Sequence, residues 1–240
     1  MKPEPTGGKT TDFDTYAGDY DSALERGISV SGEGKIYFAR ERIAWLKKCL
    51  DKLGAHPRRV LDFGCGTGTA TRFFLELLGA ESVIGADRSD RSLLVARERE
   101  PSERVRFVHF DNYRTEAAID LAFCNGVFHH IPRDQRAEAI AYIHRALAPH
   151  GLFAFWENNP WNPGTRYVMS RIPFDRDAET LSVIEARRTL REGGFEMIRT
   201  DFIFIFPNVL RWMRGLEPAL CRFPIGAQYM VLCRKISPRN

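Results

Sequence analysis

The chain has 240 residues, 44% of them hydrophobic and 28% charged, with a formal net charge of +4. That length fits one α/β domain of ordinary to large size with room for a continuous core, and the charge is too mild to imply a nucleic acid partner. Five scattered cysteines, Cys49, Cys65, Cys124, Cys221 and Cys233, have no CxxC spacing; this argues against a disulfide framework and a zinc site and fits a reducing cytoplasm.

The polar opening MKPEPTGGKTTDFD has no apolar signal core, so a cytoplasmic rather than secreted protein is expected. The longest apolar runs, such as FIFIF at 202–206, are far too short to cross a bilayer. Residues 1–12 read as a disordered tail and 13–57 as an N-terminal helical lid region. In the latter, Ala39, Ile43, Leu46, Leu50 and Leu53 alternate spacings of four and three, which predicts an amphipathic helix ended near Gly54 and Pro57.

From residue 58 to 240 the pattern is that of an α/β core. RVLDF (59–63), SVIGAD (82–87), RVRFVHFD (104–111), IDLAFCNG (119–126) and LFAFWEN (152–158) read as strands. Helices are expected over 69–78, after Ser89 and over 133–148. This alternation predicts a parallel sheet covered on both faces. A further helix over about 180–192 precedes two final strands, FEMIRTDFIFIF (195–206) and QYMVLCRK (228–235). The apolar and basic insert between them, at about 207–227, is far longer than a hairpin needs and is expected to cover something.

The stretch VLDFGCGTGTA (60–70) carries the chemistry. No lysine follows its glycines as a phosphate loop requires. Gly64, Gly66 and Gly68 give GxGxG, with Thr69 where a dinucleotide turn needs its third glycine. Asp62, at the tip of the first strand, would repel a pyrophosphate but suits an ammonium or sulfonium. Asp87 ends the second strand where a carboxylate accepts ribose hydroxyls, and Asp111 and Asn112 end the third, where an adenine amine could bind. S-adenosylmethionine carries both positive charges, a carboxylate for the glycine N–H groups, and no phosphate.

With these residues in view, the chain resembles the class I S-adenosylmethionine-dependent methyltransferases. VLDFGCGTG, VIGADRS, FVHFDN, IDLAFCNGVFHHIP and LAPHGLFAFWE are similar to successive segments of that family. The resemblance implies a single-domain, doubly wound, mostly parallel seven-stranded sheet whose last strand is antiparallel. It also implies that S-adenosylmethionine is held by Asp62, Gly64, Cys65, Gly66, Gly68, Asp87, Arg88, Asp111, Asn112 and Asn125, leaving S-adenosylhomocysteine as product. An aromatic entry segment with Tyr16 and Tyr20 resembles those that close over the cofactor in this class.

The methyl acceptor is left open, with a small molecule attacking through oxygen, or else nitrogen, as the expectation. His129 and His130, after the fourth strand, are the candidate bases, His130 the first choice, and Glu157 at the tip of the fifth could face the acceptor or bind the N–H groups of the neighbouring loop. Arg166 and Arg211, among the cations in and near the insert, would suit an anionic, lipid-linked or sugar-type acceptor. NNPW at 158–161 imitates an amino-methyltransferase signature, but stands after the wrong strand. No metal site is expected. The competing readings are a nicotinamide-dependent oxidoreductase, opposed by Thr69 and Asp62, and a methyltransferase-like binding module without catalysis; RNA modification is opposed by the mild charge.

Overall fold

The computed structural model describes residues 25–113, 117–172 and 178–236. The helix expected near the start is α1 (Lys35–Leu53), closed by Gly54 in the left-handed conformation. Then come β1 (Arg59–Phe63), α2 (Thr71–Leu77), β2 (Ser82–Asp87), α3 (Asp90–Arg99), β3 (Val105–His109), β4 (Ile119–Asn125), α4 (Arg136–Ala146) and β5 (Leu147–Asn158). The Ser89 hydroxyl caps α3 by accepting from the Ser92 N–H. The chain closes through α5 (Pro163–Arg171), α6 (Val183–Glu192), β6 (Phe195–Ile203), the short α7 (Glu217–Leu220) and β7 (Gln228–Lys235).

The seven strands lie in the order β3-β2-β1-β4-β5-β7-β6, and β7 runs antiparallel to both neighbours. Their residues alternate between two apolar faces. Leu61, Phe63, Ala122, Cys124, Phe153 and Phe155 pack on one side with α4 and α6. Val60, Leu121, Phe123, Leu152, Ala154 and Trp156 pack on the other with α1 and α2. Burial on both faces explains why these strands read as continuous apolar runs. The order reverses between β1 and β4, so the loops after these two strands diverge and leave a crevice at their carboxyl ends.

Two differences from expectation have local causes. β6 stops at Ile203, three residues early, because Phe204 turns to a φ of 61°. Glu217 then accepts the N–H groups of Phe204, Ile205 and Phe206, holding this stretch out of the ladder. β5 begins at Leu147, five residues before the strand expected from 152, and its register on β4 shifts within that added stretch, where His150 has a φ of 62°.

A buried carboxylate fixes α1 to the sheet. Asp201 on β6 is fully buried and accepts from the Trp45 Nε1–H at 2.9 Å and from Arg199 at 2.9 Å. Removing it leaves a buried guanidinium and an indole N–H without their acceptor. Asp201→Ala should therefore lower the unfolding free energy by about 3 kcal/mol, read from chemical denaturation; a loss under about 1 kcal/mol would show the network to be dispensable.

Candidate functional site

The crevice holds a cavity of about 510 Å³. Its floor is the turn after β1. Gly64, Gly66 and Gly68 have φ of 73°, 51° and 71°, where a side chain is strained. A Cβ on Gly64 would lie 2.3 Å from Val127, and one on Gly68 3.1 Å from Ala96 of α3 and from the Phe107 ring. Gly68 thus supplies the close helix–strand packing for which a dinucleotide turn uses its third glycine. Thr69 has a different task. The Arg99 guanidinium at the end of α3 donates to the Thr67 carbonyl (2.8 Å), the Thr67 hydroxyl (2.7 Å) and the Thr69 hydroxyl (2.9 Å), bracing the turn from behind.

The N–H groups of this turn are already committed. Those of Gly64 and Cys65 donate to the Ala86 carbonyl, that of Gly68 to the Cys65 carbonyl, and that of Gly66 to the Asp87 carboxylate at 2.8 Å. The glycine N–H groups, expected to receive a ligand carboxylate, thus already have partners within the fold. The cavity offers two cations that sequence reading missed, Lys35 and Arg42. With Phe38 and Ala39 they occupy positions i, i+3, i+4 and i+7 of α1 and share one helix face, which is the signal that could have found them. Arg42 donates from Nε to Gln228 at 2.7 Å and lies 5.8 Å from the centre of the Phe204 ring.

Asp62 is 3% exposed, and none of the described residues gives its carboxyl a hydrogen bond or a cation. Burial, and then the nearby Asp87 charge, push its pKa up to about 8. On the adjacent strand β4, the buried Oδ1 of Asn125 also lacks a hydrogen-bond partner. Both residues line the cavity. Two buried acceptors left unsatisfied beside a strained glycine turn fit a ligand that brings cationic N–H donors.

Of the residues expected to hold the ligand, Asp62, Gly64, Cys65, Gly66 and Asn125 line this cavity, and Gly68 supports it from behind. Asp87 is half-buried and stands outside the lining, bonded to the Gly66 N–H of the turn; burial raises its pKa, opposed by the Ser89 and Gly66 N–H bonds. Arg88, Asp111 and Asn112 are exposed and lie outside the cavity lining. His109 organises this end, with Nε2 contacting the Arg88 carbonyl at 2.9 Å and Nδ1 accepting the Asp111 N–H at 3.3 Å. Tyr16 and Tyr20 fall outside the described residues.

Both histidines of GVFHHIP line the cavity, their ring centres 4.0 Å apart. The Nδ1 of His129 lies 2.6 Å from Oε2 of Glu157, and both side chains are almost fully buried. Glu157 does not reach the cavity wall. Its other oxygen accepts the Phe128 N–H at 2.8 Å, so of the two expectations for this carboxylate the structure shows the bond to the neighbouring loop, and adds the contact with a histidine. Arg166 and Arg211 are exposed and also stand outside the lining. Phe38, Val168, Met169, Ile172, Phe204, Ile205 and Phe206 make the remaining wall strongly apolar.

The profile of a family described as a methyltransferase domain matches residues 60–151, the segment from β1 to the middle of β5. A trans-aconitate 2-methyltransferase of Escherichia coli (strain 55989 / EAEC) is 28% identical over 218 residues, which is 83% of this chain and 84% of that protein. Among solved structures, an S-adenosylmethionine-dependent methyltransferase from Mesorhizobium loti aligns with a TM-score of 0.55 at 22% identity over 74% of this chain and 90% of its own. A TehB-like S-adenosylmethionine-dependent methyltransferase from Corynebacterium glutamicum aligns with a TM-score of 0.61 at 18% identity over 93% and 100%. The committed glycine turn, the sealed acid at the tip of β1 and the sheet order agree with these likenesses: residues 60–151 form a methyltransferase domain, in a chain that resembles the class I enzymes of this kind and takes S-adenosylmethionine as methyl donor.

Proposed function

We propose that this enzyme methylates an oxygen of a small acceptor that carries a proton and an apolar body, with His129 as the base. The contact between His129 and Glu157 carries the reading. With Nδ1–H donated to the carboxylate, Nε2 becomes the proton-accepting atom of a ring that lines the same cavity as the donor turn. Bound S-adenosylmethionine supplies a methyl group made electrophilic by its sulfonium. The chain's own residues bind, align and deprotonate. Asp62 and Asn125 would hold the donor's ammonium, Asp87 its ribose, and Arg42 the carboxylate that the committed turn cannot take. The apolar wall excludes water and fits the acceptor's body.

The relatives named for trans-aconitate favour a second reading, in which the acceptor is a carboxylate. A carboxylate has no proton to lose at neutral pH, so the two readings differ in their need for His129. With a hydroxyl acceptor, His129→Gln should cut kcat by about 10²–10⁴ with S-adenosylmethionine affinity retained, and Glu157→Gln should lower kcat in the same direction. Efficient methylation of trans-aconitate by His129→Gln would overturn the hydroxyl reading in favour of the carboxylate one.

Two predictions concern the donor. A cation next to Asp62 favours its ionised form, whereas the free protein holds the proton below about pH 8. Binding near pH 7 should therefore release close to one proton, and affinity should rise up to about tenfold per pH unit between 6 and 7, levelling near 8. Calorimetry in buffers of different ionisation enthalpy measures the release, and Asp62→Asn should abolish it. Arg42→Gln should raise the KM for S-adenosylmethionine at least about tenfold, the scale of one lost charge-assisted hydrogen bond; a rise in the acceptor KM alone would reassign Arg42 to the acceptor.

A further inference from the structure

The insert between β6 and β7 presents large apolar side chains to solvent while its underside is tied down. Val209 is 81% exposed, Trp212 76% and Leu216 51%, spaced three and four residues apart through the 3-10 turns of Asn208–Leu216. Phe223 and Ile225 are about half exposed farther on, and Trp161 likewise, beside Asn162, whose amide donates to the Ile225 carbonyl. The underside is held by Glu217, which accepts the three N–H groups beyond β6. Arg214 holds it too, bonding the Phe206 carbonyl and Glu33 and lying over the Tyr37 ring. The outward face is thus set by the fold, and a large exposed apolar patch marks an interaction site.

Charge selects the occupant. Glu217 is the single acid between residues 207 and 227, and its carboxylate is spent on backbone N–H groups. Arg222 is turned back to Asp201 at 3.6 Å and to the Thr200 carbonyl, which leaves exposed Arg211 as the insert's outward charge, and that charge is positive. Tryptophan and aliphatic side chains flanked by arginine match the boundary between lipid headgroups and acyl chains. The same segment also forms part of the cavity wall through Phe206, Pro207 and Arg214.

We infer that the insert seats the enzyme on an anionic membrane surface, reversibly and without crossing it. Among the described residues no helix is long and apolar enough to span a bilayer, so the attachment is interfacial. Vesicle binding requires no turnover and is read independently of the acceptor chemistry.

The test is co-sedimentation of the full chain with vesicles of phosphatidylcholine and phosphatidylglycerol, against pure phosphatidylcholine. Binding to the mixed vesicles, at least about fivefold weaker without the anionic lipid and falling with added salt, is expected. The Val209→Ser/Trp212→Ser double variant should lose it by about tenfold or more, while its calorimetric affinity for S-adenosylmethionine matches the parent. Sedimentation with neither vesicle, or equal binding by the double variant, would overturn the inference. So would a concentration-dependent dimer in light scattering that the double variant abolishes, since the face would then belong to a second copy.

Discussion

Asp62 is the constraint around which the site is arranged. A carboxyl at the floor of a cavity, without a donor or a counter-charge among the described residues, is tolerated in the free protein only by keeping its proton. Such an arrangement weakens the fold at neutral pH. Its folded pKa lies above the unfolded value, so the group favours the folded state only at low pH, and that advantage drains away as pH rises toward 8. Strand β1 cannot turn the group outward, because Leu61 and Phe63 face one helix layer and Val60 the other. The acid is the residue left at the strand tip where the sheet order reverses.

The neighbouring interactions make sense as support for that tip. Asp87 at the end of β2 receives the Gly66 N–H, and Arg99 at the end of α3 clasps Thr67 and Thr69. The turn is therefore built before any ligand arrives. A preformed turn spends little conformational entropy on binding. It also has few free N–H groups to offer, which explains why cations on α1 share its cavity.

Much of this was legible in the sequence, and for definable reasons. β1, β2 and β7 match their expected bounds to the residue, because runs buried on both faces and closed by turn residues leave little latitude. Asp62, the glycines and the histidines were found because a strand-tip motif places its chemistry by local spacing alone. The hold of Glu157 on a loop N–H was among the expectations, but its contact with His129 was not, because that partner is 28 residues away and only pairing of β4 with β5 brings the carboxylate under the ring. Arg42 was missed because a charged residue on an amphipathic helix ordinarily faces water, and only the packing of α1, fixed in part by Trp45 and Asp201, turns that face inward.

The insert leaves and rejoins the sheet at neighbouring points, since Ile203 and Gln228 are paired across β6 and β7. Gly226 packs directly on the Ile203 backbone, where any Cβ would clash, so the neck of the excursion is closed whatever lies beyond it. Doubling the length of a loop closed in this way costs only about 0.6 kcal/mol in closure entropy. The segment that walls the cavity can then be lengthened, shortened or exchanged while the β5–β7–β6 ladder stays in register. In this architecture one wall of the cavity can diverge as a replaceable cassette, separately from the glycine turn and the strands that carry it.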